Sequence, residues 1–359
     1  MARRSITAAL SFVAAVMLVA TPALACGGLI NANGTVTLVR TTTLAAYHGG
    51  IEHYVTSFAF AGGGGEFGSI VPLPGVPTKV IRGGDWTLQR LAIETQPPVA
   101  SPLAFAGEDG AAGARVLLET EIDALDVVVL EGGAAEVGTW ATENDFLLPP
   151  DAPEVLEFYA ARSPIFMAVR FDATRAAEQG LGEGDGTPVH LVIPTDDPWV
   201  PLRILGLGAG KIAPVEADVY LLTDRAPALL PEPVSPLTAS FLAERDVRPG
   251  LVLEHSAPAS PSLLADLRSD RGMRWLPERD VWLSYVRVDA EAGDLDFDLA
   301  VDASGSGEPS PRDAGVPATA PASPSGGGLT TILWLLAGAA AVVAIAGGIG
   351  ARRTGGRPA

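Results

Sequence analysis

Residues 35–60 read TVTLVRTTTLAAYHGGIEHYVTSFAF, two runs rich in β-branched and aromatic residues around Gly49-Gly50. A Gly-Gly pair supplies positive φ twice, which a two-residue hairpin turn requires. The stretch predicts an antiparallel hairpin, Thr35–His48 against Ile51–Phe60, with His48 opposite Ile51 and Ala46 opposite His53. Alternation then puts Val39, Tyr47, Tyr54, Phe58 and Phe60 on one face, which reads as core. The other face carries Arg40, Thr42, His48, His53 and Ser57, with Leu44 and Val55 among them.

His48 and His53 become diagonal neighbours on that second face, about 7–8 Å apart at Cα. Neutral imidazoles at that spacing are candidate metal ligands, provided a third ligand arrives from elsewhere. Glu52 projects from the opposite face and does not contribute. The plainer reading is two polar side chains near an exposed hairpin tip.

Outward from the hairpin, strand signals dominate. Phe67–Leu73, Arg115–Thr120, Asp126–Leu130, Ile165–Phe171, Val189–Ile193, Leu202–Leu205 and Ala217–Leu222 read as strands. Helices are expected from an Asp85 N-cap through Glu94, over Ala134–Asn144 and over Asp151–Arg162, with two short ones after Pro236. Pro227–Pro236 reads as a possible subdomain boundary near 226–236. A closing hairpin, Val281–Val288 against Leu295–Val301, would set Asp294, Asp296 and Asp298 on a solvated face. The Asp-x-Asp-x-Asp run lacks the glycine and glutamate that a calcium loop needs. The expected class is strand-rich α+β: antiparallel hairpins, a few short helices and a C-terminal transmembrane helix.

The ends place the protein. Arg3 and Arg4, an uncharged run over 6–20, Pro22 and Ala23-Leu24-Ala25 form a cleavable signal peptide, residues 1–25. Cys26, the chain's one cysteine, would begin the mature protein. It is a lipid acceptor, an intermolecular thiol or a residue with no covalent role, and the Ala-x-Ala pattern favours the last. Residues 329–350, LTTILWLLAGAAAVVAIAGGIG, carry no charge and are long enough as a helix to span a bilayer of about 30 Å. Arg352, Arg353 and Arg357 follow in the tail 351–359, so the tail should lie inside and the domain 26–303 outside the cytoplasm. Residues 304–328 are Pro/Gly/Ser/Ala-rich and read as a flexible linker.

Net charge is −18 over the chain, and residues 26–303 hold 18 basic and 40 acidic side chains. Such a surface repels nucleic acid and attracts cations or basic partners. Zinc-protease, Cys-x-x-Cys and serine-hydrolase motifs are absent. Gly206–Lys211, GLGAGK, lacks the helix and last glycine of a dinucleotide loop.

The passages HYVTSFAFAGGGGEFGSIVPLPGVPTKV, DVVVLEGG…TWATENDFLLP, VLEFYAARSPIFMAVRFD and WVPLRILGLG…ADVYLLTD resemble a bacterial family of uncharacterised proteins, domain of unknown function 2330. Cys26-Gly27-Gly28 resembles it too. The resemblance implies an exported, often membrane-associated protein and carries no reaction, cofactor or catalytic residue. The expected function is therefore a non-enzymatic binding or structural module at the envelope surface, anchored in the cell membrane by one C-terminal helix, with a protein or glycan ligand. The alternative is an extracytoplasmic hydrolase with an unrecognised site.

Overall fold

The hairpin around Gly49-Gly50 forms with the expected register, His48 opposite Ile51 and Ala46 opposite His53. Gly49 and Gly50 sit at φ +59° and +79°, the backbone of a two-residue primed turn. The structure is a computed structural model, and it describes residues 28–31, 41–59, 67–95, 116–180, 186–304 and 306–317. The expected signal peptide 1–25, linker residues 305 and 318–328, the expected span 329–350 and the tail 351–359 lie outside these residues. Among the described residues no helix is long and apolar enough to cross a membrane.

In chain order the elements are β1 (Gly28–Asn31), β2 (Thr41–His48), β3 (Ile51–Ala59), β4 (Phe67–Pro72), β5 (Lys79–Arg82), α1 (Thr87–Thr95), β6 (Val116–Ile122), β7 (Leu125–Glu131), α2 (Ala134–Glu143), α3 (Ala152–Ala160) and β8 (Ile165–Phe171). There follow α4 (Ala173–Glu178), β9 (Gly186–Pro194), β10 (Trp199–Val200), β11 (Pro214–Thr223), β12 (Ala228–Leu230), α5 (Pro236–Ala243), β13 (Gly250–Pro258), α6 (Pro261–Ser269), β14 (Trp282–Glu291), β15 (Leu299–Asp302) and α7 (Pro311–Ala314). The expected strand-rich α+β class is observed.

Three sheets result. The largest runs β13-β14-β11-β2-β3-β9-β5 and is antiparallel except where β2 lies parallel to β11. The second runs β1-β4-β8-β7-β6 and the third β10-β15-β12. One face of the large sheet, carrying Ala45, Tyr54, Leu191, Ile193, Val219 and Val286, shares a core with β7, β8, α2 and α3. The other face, carrying Leu44, Ala46, Val55, Tyr220 and Leu283, packs beneath α1 and α6. Both faces of the hairpin are therefore covered, and the face expected to be mixed is largely buried. Buried strands of this kind lose strict alternation, which is why β7 reads as the continuous run LDVVVLE.

Several expectations need correction. β14 does not return on β15: it pairs with β11 and β13, while β15 joins β10 and β12. β13 is an additional strand, and Leu202–Leu205 is not one, a 3₁₀ turn occupying Arg203–Gly206. Asp298 is fully buried instead of solvated. Asp85 does not cap α1. Asp270 does so from the end of α6, accepting the Asp85 and Trp86 amides at 3.1 Å and the Thr87 hydroxyl at 2.7 Å. Gly84 permits that approach, since a Cβ there would lie 2.2 Å from the Asp270 carboxylate.

β12, within the passage 226–236, pairs with β15, and the described residues from Gly28 through Val316 fall in one compact unit. The folded body also outruns residue 303. Ser310 caps α7, and Asp298 N–H donates to Ala314 O at 2.9 Å, so the opening stretch of the expected linker is docked. Composition alone hid this, because the docking depends on a few backbone and arginine contacts and not on a run of apolar side chains.

Candidate functional site

β2, β3 and β9 lie side by side, and His48, His53 and His190 project from the face under α6 and the segment after it. His53 Nδ1 meets His190 Nε2 at 2.9 Å. The His53 ring lies flat on Trp275, centroids 3.5 Å apart and planes 5° from parallel. Both histidines are buried. Burial lowers the His53 pKa to about 3, helped by the nearby His190, His48 and Lys79. Burial likewise lowers His190 to about 4. Both rings are neutral at pH 7. One N–H thus lies between them, and which ring carries it is a matter of tautomer.

His48 stands at the strand end, half-exposed, with Nδ1 2.6 Å from Asp224 Oδ1. The sequence therefore selects two residues of the right face but not their partners: His48 takes Asp224 and His53 takes His190. His190 lies 137 positions from His53 along the chain, and Asp224 lies 176 from His48. No local pattern carries such pairings. His190 Nδ1 and Trp275 Nε1 are both buried without a hydrogen-bond partner. Gly272, at φ +76°, brings the backbone close enough that a Cβ would sit 3.0 Å from His190 Nδ1.

Glu52 points to the opposite face, as its place in the register dictates. It is fully buried, its carboxyl oxygens have no hydrogen-bond partner, and burial raises its pKa to about 8. It is thus protonated at neutral pH and offers no charge to a site on the histidine face.

A second feature lies at the far edge of the large sheet. A cleft of about 250 Å³ is lined by Pro231, Val234, Pro249, Leu251 and Phe297, with Glu232, Arg248 and Asp294 also on its wall. Beside it, α5 leaves Leu237 82% and Phe241 56% exposed, and Val247 follows at 48%. Arg245 lies over the Phe241 ring at 3.6 Å. Ala239 is the one buried side chain of α5, although the helix is mostly apolar.

Asp196-Asp197 form an exposed turn, as expected, and GLGAGK starts at the last residue of the 3₁₀ turn and continues as a loop. Among the described residues no group of three or more His, Cys, Asp or Glu side chains stands ready to hold a metal ion.

A layered, strand-rich α+β body with a histidine-bearing sheet face and an apolar edge cleft is the class defined by this geometry. The chain belongs to the family described as an uncharacterized protein conserved in bacteria, DUF2330, whose profile matches residues 20–228. The quoted passages from His53 through Asp224 all fall inside that match. No curated protein matches in sequence. Among solved structures, crystal structures of baculovirus P35 share partial similarity. One has TM-score 0.33 at 9% identity, covering 52% of this chain and 65% of the other. A mutated P35 after caspase cleavage has TM-score 0.31 at 10% identity, covering 62% and 77%. Likeness at this level carries no argument about function.

Proposed function

We propose that this is an exported protein, held in the cell membrane by one C-terminal helix, whose extracytoplasmic body binds a polypeptide partner at the α5–β13 edge. The observation that carries the binding reading is the exposure of Leu237 and Phe241, one helical turn apart on α5, beside the Phe297 cleft. Contiguous apolar surface is costly to leave in water and marks contact sites. The partner chemistry follows from the rim. Glu232 and Asp294 make no ion pair among the described residues, so an apolar anchor next to a lysine or arginine fits best. That combination favours a polypeptide over a glycan, which needs more polar donors and acceptors. Export and anchoring rest on the signal-like residues 1–25, the uncharged stretch 329–350 and the arginines behind it.

The test has two arms. In intact cells stripped of any outer barrier, added protease should digest the body while the full chain fractionates with membranes; a protease-protected body would overturn the topology. A photo-crosslinking residue at position 241 should yield a discrete heterologous adduct, lost in Leu237→Glu and reduced in Glu232→Lys. A crosslinking pattern unchanged by both substitutions would overturn the contact surface.

A further inference from the structure

We infer that His53, His190 and His48 form a binding site for a divalent transition metal of the zinc class, with His53 Nδ1 and His190 Nε2 as its preassembled half. The chain has four histidines. Three of them come to one face of three adjacent strands, and the fourth, His255, lies on the opposite edge strand of the same sheet. Nothing in the packing of a sheet calls for that concentration. Imidazole suits zinc, copper or nickel, and not calcium or magnesium, which take oxygen ligands.

The geometry is close to what two ligands need. With Zn–N bonds of about 2.0–2.1 Å and a tetrahedral angle, two ligand nitrogens lie about 3.3 Å apart. The observed 2.9 Å asks the rings to separate by a few tenths of an ångström and to tilt, so that nitrogens now aimed at each other converge on the metal. The single N–H between them moves to the other nitrogen of its own ring when the metal enters. Both inner nitrogens then present lone pairs, and the protein neither gains nor loses a proton.

His48 supplies the third ligand. Its Nδ1 lies 2.6 Å from Oδ1 of Asp224, which follows β11 on the side of β2 away from β3. His48 lies two residues along β2 from Ala46, the cross-strand partner of His53, so the two histidines are diagonal neighbours on one face. Because no three ligands are yet assembled, His48 must leave Asp224 and turn inward on binding, with water completing the shell. Trp275 stacked on His53 holds that ring in place, and the chain's charge of −18 concentrates cations.

Zinc chloride titrated calorimetrically into the purified full chain tests this. The expected result is one saturable site, weakened about tenfold or more in His53→Gln and His190→Gln, and about tenfold in His48→Gln. Cobalt(II) substitution gives a separate readout: visible d–d bands of a four-coordinate imidazole site in the wild type, lost in His53→Gln. The buried positions carry a folding risk, so circular dichroism is read on each variant, and the exposed His48→Gln serves where the others unfold. Absence of saturable zinc binding by the wild type, or an affinity unchanged in His53→Gln and His190→Gln, overturns the site and leaves a plain imidazole–imidazole hydrogen bond. An affinity unchanged in His48→Gln alone overturns its place as third ligand.

Discussion

Arg162 and Asp298 form an ion pair in which both side chains are out of water, 6% and 0% exposed. Asp298 Oδ1 also accepts from the Tyr159 hydroxyl at 2.8 Å and the Leu202 and Arg203 amides at 2.7 and 3.1 Å. Tyr159 Oη in turn accepts from the Ile204 amide at 2.9 Å. The Arg162 guanidinium lies over Phe158 at 4.2 Å, Trp199 at 4.9 Å and Tyr159 at 5.0 Å, and its Nη1 donates to the Asp313 carbonyl. One buried charge pair thus joins α3, the 3₁₀ turn, the approach to β15 and α7. Burial raises the Asp298 pKa, and Arg162 opposes that rise. Removing one partner of a buried pair strands the other charge at a cost of about 3–5 kcal/mol. Asp298→Ala should lower the urea midpoint accordingly, whereas Asp296→Ala, at an exposed neighbour, should change it little. Equal effects of the two would mean that Asp298 is solvated, as its place in an Asp-x-Asp-x-Asp run first suggests.

The docking of α7 depends on a glycine. Gly315 ends the helix at φ +68°, and a Cβ there would lie 2.2 Å from the Phe158 ring. Gly315→Val meets both the backbone strain of the left-handed region and that clash. Residues 306–317 should then exchange amide hydrogens and be cut by protease much faster, while β11 and β14 keep their protection. Unchanged protection across 306–317 would show that α7 is held by something other than this close approach.

Asp302 sets an acid limit for the same region. Burial alone would raise its carboxyl, but bonds from the Ser304 hydroxyl and amide, the Ser306 hydroxyl and the Gly307 amide outweigh it and hold the pKa at about 2. A folded value below the unfolded one means that the unfolded chain binds the proton first. Its contribution to stability is therefore full above the ordinary aspartate value of 3.8 and fades as pH falls through about 2. Asp302→Asn should lower stability at pH 7 and flatten the decline between about pH 4 and 2. Parallel acid-denaturation curves for variant and wild type would contradict it.

These particulars show what a sequence can and cannot disclose. The hairpin, its turn and its register are local, fixed by Gly49-Gly50 and by the alternation around them, and they were legible. So were β7, β8, α2 and α3, whose apolar runs and flanking turns lie within a few residues. The partner of β14 was not, because an antiparallel strand ending near a short connection reads as a hairpin whether or not the chain turns back. Leu295 is buried and Asp296 exposed, as a strand would have them, yet residues 292–294 are a 3₁₀ turn that sends the chain to another sheet. The candidate site was half legible for the same reason. His48 and His53 share a hairpin, whereas His190, Asp224 and Trp275 reach it only through the order of strands and the segment after α6.

The turn that orders this face carries its own test. Gly49 and Gly50 both have positive φ, and neither meets another atom within 4 Å at a built Cβ, so backbone conformation alone limits substitution. Asparagine tolerates the left-handed region and is favoured at the first central position of such a turn. Gly49→Asn should therefore keep the hairpin and, by restricting the unfolded chain, change stability by less than about 1 kcal/mol in either direction. Gly50→Ala forces a Cβ into the same region and should cost about 1–2 kcal/mol. The ordering matters more than the size: Gly50→Ala should fall below Gly49→Asn in thermal midpoint. The reverse ordering would show that the connection is not the primed two-residue turn on which the placement of His48 opposite Ile51, and of His53 on the same face, depends.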